Sequence, residues 1–148
     1  MSHLSVIDKN VVKTHEWLKT ISQYAHWKDD TLSLRALRVV LHQLRDNMPL
    51  ENAVYLSAQL PIFIRGLFFE NWHPLSTPLK ERQKEDFIDS VEEHLIQAGG
   101  LPEPIDSSVA ILAVFKTLCE KISEGEIQKI ESLFPKGLRS LWNEAKAL

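Results

Sequence analysis

The chain is predicted to fold as one all-α domain of two pseudo-symmetric repeats, about four helices each, and three observations in its 148 residues lead there. Apolar side chains recur every three or four positions along most of the length, the period of an amphipathic helix. Nowhere do they alternate as a half-buried strand requires. And one helical pattern occurs twice without a gap, at an offset of 74 residues, so that Thr31 to Glu70 reads onto Ile105 to Glu144. Ser33, Ala36, Val40, Leu44, Pro61, Arg65, Leu67 and Glu70 meet Ser107, Ala110, Val114, Leu118, Pro135, Arg139, Leu141 and Glu144. Between these identities apolar meets apolar, as at Leu37/Ile111, Leu41/Phe115, Leu56/Ile130 and Phe68/Trp142. A repeat built from apolar spacing records a duplicated fold, not a chemistry.

Repeat one is expected over about 10–73, a linker over about 73–78 and repeat two over about 79–147, all within a single domain of residues 1–148. Trp17, Leu18, Ile21 and Tyr24 give the first helix its buried face over Asn10 to Ala25. Asp29, Asp30 and Thr31 offer capping oxygens to the second, whose inward residues are Leu34, Leu37, Leu41, Leu44 and Met48. Pro49 ends that helix or starts the next, a short one lined by Ala53, Leu56 and Leu60. Pro61 suits the first turn of a fourth, where its missing N–H costs nothing. That helix turns Ile64, Leu67, Phe68 and Trp72 inward and stops before Pro74. After the breakers Pro74 and Pro78, a charged turn from Glu81 to Asp86 opens repeat two, followed by Phe87, Ile88, Val91 and Leu95. The loop Gly99 to Pro104 leads to a cap at Asp106 and Ser107. Gly125 is expected in the turn after that helix, and Pro135 at the start of the last.

An apolar content of 44% and a charged content of 25% are ordinary for a soluble protein. No apolar run is long enough to span a membrane, and Met1 to Asn10 lacks the features of a secretion signal. Cys119, the single cysteine, excludes an intrachain disulfide and suits a reducing cytoplasm. It reads as a small buried hydrophobe. The net charge of −3 is unevenly divided. Residues 1–74 carry 8 Lys/Arg against 7 Asp/Glu, and residues 75–148 carry 9 against 13, so the halves are +1 and −4. That split can orient a protein partner or a second copy, and it is too small for a nucleic-acid binder.

At this point a family likeness emerges. Arg35-Ala36-Leu37-Arg38-Val39-Val40-Leu41, then Leu44-Arg45, Leu56, Ala58-Gln59-Leu60-Pro61 and Arg65-Gly66-Leu67-Phe68-Phe69-Glu70-Asn71-Trp72 together resemble the bacterial family called domain of unknown function 2267. Phe134-Pro135, Leu138-Arg139 and Leu141-Trp142 echo the pattern. The resemblance implies a small, duplicated helical protein of bacterial type, and it brings no activity, cofactor or catalytic residue with it.

The chemistry-bearing motifs are incomplete. His15-Glu16 is followed by Lys19 where a zincin helix needs its second histidine. Glu70 and His73 make one Glu-x-x-His pair, but the matching positions are Glu144 and Ala147, so a di-iron site lacks its second pair. No nucleophile elbow or phosphate loop is present. No metal, cofactor or catalytic residue is therefore expected, and the balance leans away from an enzyme. Two sets of cations are the binding candidates. Arg65 and Arg139 each follow a helix-initiating proline by four residues, either to fasten the preceding turn or to act as paired anion-binding arms. Arg35, Arg38, His42 and Arg45 share one face of the second helix, either as a solvated face or as a dock for an acidic partner.

Where the repeats disagree, apolar surface is left over. Val109, Leu112, Lys116 and Cys119 stand where repeat one has the basic stripe. Ile62, Gly66 and Phe69 stand where repeat two has Lys136, Ser140 and Asn143, and Phe63 meets Gly137. Burying one such side chain is worth roughly 1.5–3 kcal/mol, so five left in water would forgo about 8–15 kcal/mol. Both faces are expected to be covered, either by the fourth helix of repeat one packing on the middle helix of repeat two or by self-association. The function these features favour is a non-enzymatic, cytoplasmic protein-interaction or scaffold module. The alternatives are an anion or small-molecule binder and an enzyme with an inter-repeat site.

Overall fold

The computed structural model describes residues 5–76, 84–98 and 104–148. The expected breaker Pro78, the start of the charged turn at Glu81 and most of the Gly99 to Pro104 loop lie outside them. Among the described residues there are eight α-helices and no strand: α1 (Ser5–Ala25), α2 (Asp30–Asp46), α3 (Leu50–Ser57), α4 (Ile62–Phe69), α5 (Lys84–Ala98), α6 (Ser107–Lys121), α7 (Glu124–Leu133) and α8 (Arg139–Lys146). Short 3-10 turns occupy Pro74–Ser76 and Lys136–Leu138. No described helix is long and apolar enough to cross a membrane.

Local chemistry sets the helix ends. The Asp29 carboxylate accepts from the Thr31 N–H at 2.8 Å, and Asp106 accepts from Ser108 at 2.9 Å and Val109 at 3.2 Å, so α2 and α6 begin on side-chain caps. α1 stops at His26, whose φ of 61° is left-handed, while the Trp27 N–H returns to the Ser22 carbonyl at 2.9 Å. Pro49 and Pro61 stand one residue ahead of α3 and α4, as their N-caps. Three expectations shift. α1 begins at Ser5, five residues before Asn10. Gly125 lies inside the first turn of α7, not in the turn before it. After Pro135 the chain makes a 3-10 turn through Gly137, and α8 begins only at Arg139.

α2 and α6 touch each other, and α1 and α5 each lie against both. α4 covers α1 and α2, and α8 covers α6. A continuous apolar core runs through the two halves. On one side Leu37, Leu41, Leu44, Leu56, Ile64 and Phe68 are shut off from water. On the other, the Phe115 ring lies 5.2 Å from Phe134 and 5.9 Å from Trp142, in tilted and edge-on contacts.

Of the arrangements expected for the surplus apolar faces, the one within the chain is not found as drawn. α4 makes its main contacts with α1 and α2, and it is α1 and α8 that flank the second face of α6. Lys116, on that face, places its ammonium over the Tyr24 ring of α1 and donates to the Lys146 carbonyl of α8. Val109, Leu112 and Cys119 are thereby half-buried against the core. The α4 face is only partly covered. Phe69 packs between Phe68 and Trp72, at centroid distances of 5.3 and 5.1 Å, whereas Ile62 is 63% exposed and Phe63 52%.

Candidate functional site

In the basic stripe of α2, His42 and Arg45 face the end of α4 and not solvent. α4 is an eight-residue helix with no basic residue in its last turn, and its terminal carbonyls need donors from elsewhere. α2 supplies them. Arg45 is 3% exposed, and its Nη1 donates to the Phe68 and Glu70 carbonyls, each at 2.7 Å. Its Nε and Nη2 reach the Asp46 carboxylate at 2.8 and 3.2 Å. His42 Nε2 meets the Leu67 carbonyl at 2.6 Å, and Arg38 Nε donates to the Glu70 carboxylate at 2.9 Å. Cations at a helix C-terminus also oppose the negative end of its dipole. Burial, helped by the Arg45 charge, lowers the His42 pKa below its ordinary value. Arg35 is half-buried and also has a partner. Arg38, His42 and Arg45 together clamp the end of α4 on α2.

Arg65 and Arg139 part company. Arg65 Nε donates to the Ser57 carbonyl and its Nη2 to the Leu60 carbonyl, both at 3.0 Å, which fastens the turn ahead of α4. Arg139 is exposed, and its guanidinium has no hydrogen bond or ion pair among the described residues. It borders a shallow polar hollow of about 360 Å³ with Gln128, Ser132 and Asn143. The carboxylate in that hollow, Glu131, accepts from Lys146 and from the Trp142 indole, which together lower its pKa. The two arginines sit in different surroundings, one bonded to turn carbonyls and the other exposed.

Cys119 is half-buried, and desolvation pushes its thiol up to about 11, the opposite of a nucleophile's need. Among the described residues no three His, Cys, Asp or Glu side chains gather as metal ligands. The Glu70 carboxylate lies toward Arg38 and His42, and His73 is exposed.

The most distinctive surface feature is an open groove of about 510 Å³ between the first turns of α1 and the start of α4. Val6, Ile7 and Val11 form one wall, Ile62 and Phe63 the other, with Leu18 and Leu34 beneath. Its wall residues are 50–63% exposed. Two polar side chains in it are bonded within α1: Asn10 donates to the Val6 carbonyl at 2.8 Å and Thr14 to the Asn10 carbonyl at 2.7 Å. Among the described residues His15 is the only ionisable one in the lining. Sequence reasoning missed the α1 wall because it began that helix at Asn10. The signal was there, since Ile7, Val11, Thr14 and Leu18 continue backward the stripe that Ile21 and Ala25 bury.

The comparisons bear on the chain as a whole. The family described as "Uncharacterized conserved protein (DUF2267)" matches it over residues 14–141. No curated protein matches it.

Proposed function

The chain belongs to the DUF2267 family, and from that premise we propose that it is a non-enzymatic protein-interaction module of the bacterial cytoplasm, built by internal duplication, whose working surface is the groove between α1 and α4. One observation carries the reading. Five branched or aromatic side chains, each at least half exposed, face one another across about 510 Å³, and contiguous apolar surface of that kind marks a binding site. Proton-transfer chemistry needs positioned acid and base groups, and among the described residues the lining offers one histidine and no partner for it. Copy-to-copy contact through the same face is the self-associating form of this reading. The test is capture from native lysate with the parent, Phe63→Asp and Arg139→Glu. A protein retained by the parent and Arg139→Glu but absent from Phe63→Asp supports the groove. Identical captures by all three refute it.

Anion binding is a second reading, which now rests on Arg139 alone. Inorganic phosphate would then raise the melting temperature of the parent and leave Arg139→Gln unmoved.

A further inference from the structure

Resting on that reading, we propose that the groove takes an amphipathic α-helix of a partner protein whose apolar stripe is bordered by acidic side chains. The spacing of the α1 wall identifies the shape of the occupant. Ile7, Val11, Thr14 and Leu18 follow the alternating four- and three-residue steps of a helix-packing seam, and Ile21 and Ala25 extend it into the core. The same stripe is therefore covered by this chain's own helices at one end and open at the other. A helix laid along the open end would be gripped as α2 and α6 are gripped further down.

The polar groups agree. Asn10 and Thr14 spend side-chain donors within α1, so apart from His15 the α1 wall offers an occupant mainly apolar contact. A segment that enters must pair its own backbone N–H and C=O groups, which a helix does and an extended peptide does not.

Charge on the rim selects the flanks. Beyond Asn10 and Ile62, which it shares with the groove, a second hollow of about 420 Å³ holds Lys13, Arg65 and Lys121 against a single carboxylate, Glu16. Arg65 is committed to the turn carbonyls. Lys13 and Lys121 are exposed and make no ion pair among the described residues. Acidic side chains on the edge of the docked helix would lie against these two ammonium groups, and basic ones would be repelled.

The experiment uses the full chain and two labelled helical peptides of about 20 residues with the same apolar stripe, one flanked by glutamate and one by lysine, read by fluorescence anisotropy at low salt. The glutamate peptide should bind about tenfold more tightly, an advantage that shrinks as salt is added. Lys13→Glu with Lys121→Glu should reverse the order. Ile7→Glu with Phe63→Glu, both at exposed positions, should abolish binding while the helical circular dichroism stays. Equal binding of the two peptides overturns the acidic flank and leaves groove docking standing. Binding that survives Ile7→Glu with Phe63→Glu, or no binding of either peptide, overturns both. A parent dimer that Phe63→Glu splits in sedimentation also overturns the proposal, because the occupant is then a second copy.

Discussion

Replacing Arg45 by methionine should destabilise the protein by about 3–5 kcal/mol. Methionine keeps an unbranched apolar stem and removes the guanidinium. The Phe68 and Glu70 carbonyls then each lose a donor held at 2.7 Å, and the Asp46 carboxylate loses its two-point contact. A hydrogen bond to a charged group contributes about 1.5–3 kcal/mol, and a buried acceptor left unpaired keeps its desolvation penalty. Two such carbonyls place the loss at the upper end of single-residue effects. For a chain of this size that corresponds to a fall in melting temperature of roughly 6–20 °C. Thermal and urea unfolding followed by circular dichroism give the global value, and hydrogen exchange at Glu70, whose N–H bonds the Leu67 carbonyl at 3.2 Å, reports the local one. Arg38→Met is the control. Its ion pair with Glu70 is 40% exposed on each side, so the loss should stay below about 1 kcal/mol. If Arg45→Met costs less than Arg38→Met, or leaves exchange at the end of α4 unchanged, the clamp is not what holds α4.

Phe63→Asp should leave stability within about 0.5 kcal/mol of the parent because the ring is already in water, whereas Leu112→Asp should lose several kcal/mol, the cost of a charge placed against the core; equal unfolding midpoints for the two would refute the difference in burial. Cys119 should react slowly with thiol reagents at pH 8 and speed up toward its value of about 11. Because the folded thiol holds its proton longer than the unfolded one, stability should also fall as pH rises above about 9, a limb that Cys119→Ala flattens in urea titrations. The lowered pKa of His42 works in the other direction. The neutral ring is favoured in the folded state, so its contribution is present above about 6.5 and is lost as pH falls through the folded value, and His42→Gln should flatten that limb in the same measurement. His26→Gly should raise stability by up to about 1 kcal/mol, since glycine adopts the left-handed turn without strain, and an unchanged or lower melting temperature would show that the imidazole contributes more there.

Helices, the caps of α2 and α6 and most of the buried faces are legible from local spacing along the chain. Asp29 and Asp106 cap where their spacing from the apolar stripes places them. Leu37, Leu41, Leu44, Phe87, Val91 and Leu95 are buried because three- and four-residue spacing is a local property of one helix. The resemblance to DUF2267 was likewise legible in a run of residues. Tertiary structure alone decided what each polar face meets. The Arg45 guanidinium reaches carbonyls 23 and 25 positions away, and no periodicity within α2 announces that a short helix will end there in need of donors. Arg65 and Arg139 each follow a proline by four residues, yet one meets a turn and the other meets water. The surplus apolar faces were visible as a pattern, but which would be covered depended on α1, whose first turns extend beyond the stretch that its strongest apolar positions mark. Spacing along a chain states which side of a helix is apolar. Whether that side is dry depends on the helix packed across from it, which is set by contacts far apart in sequence.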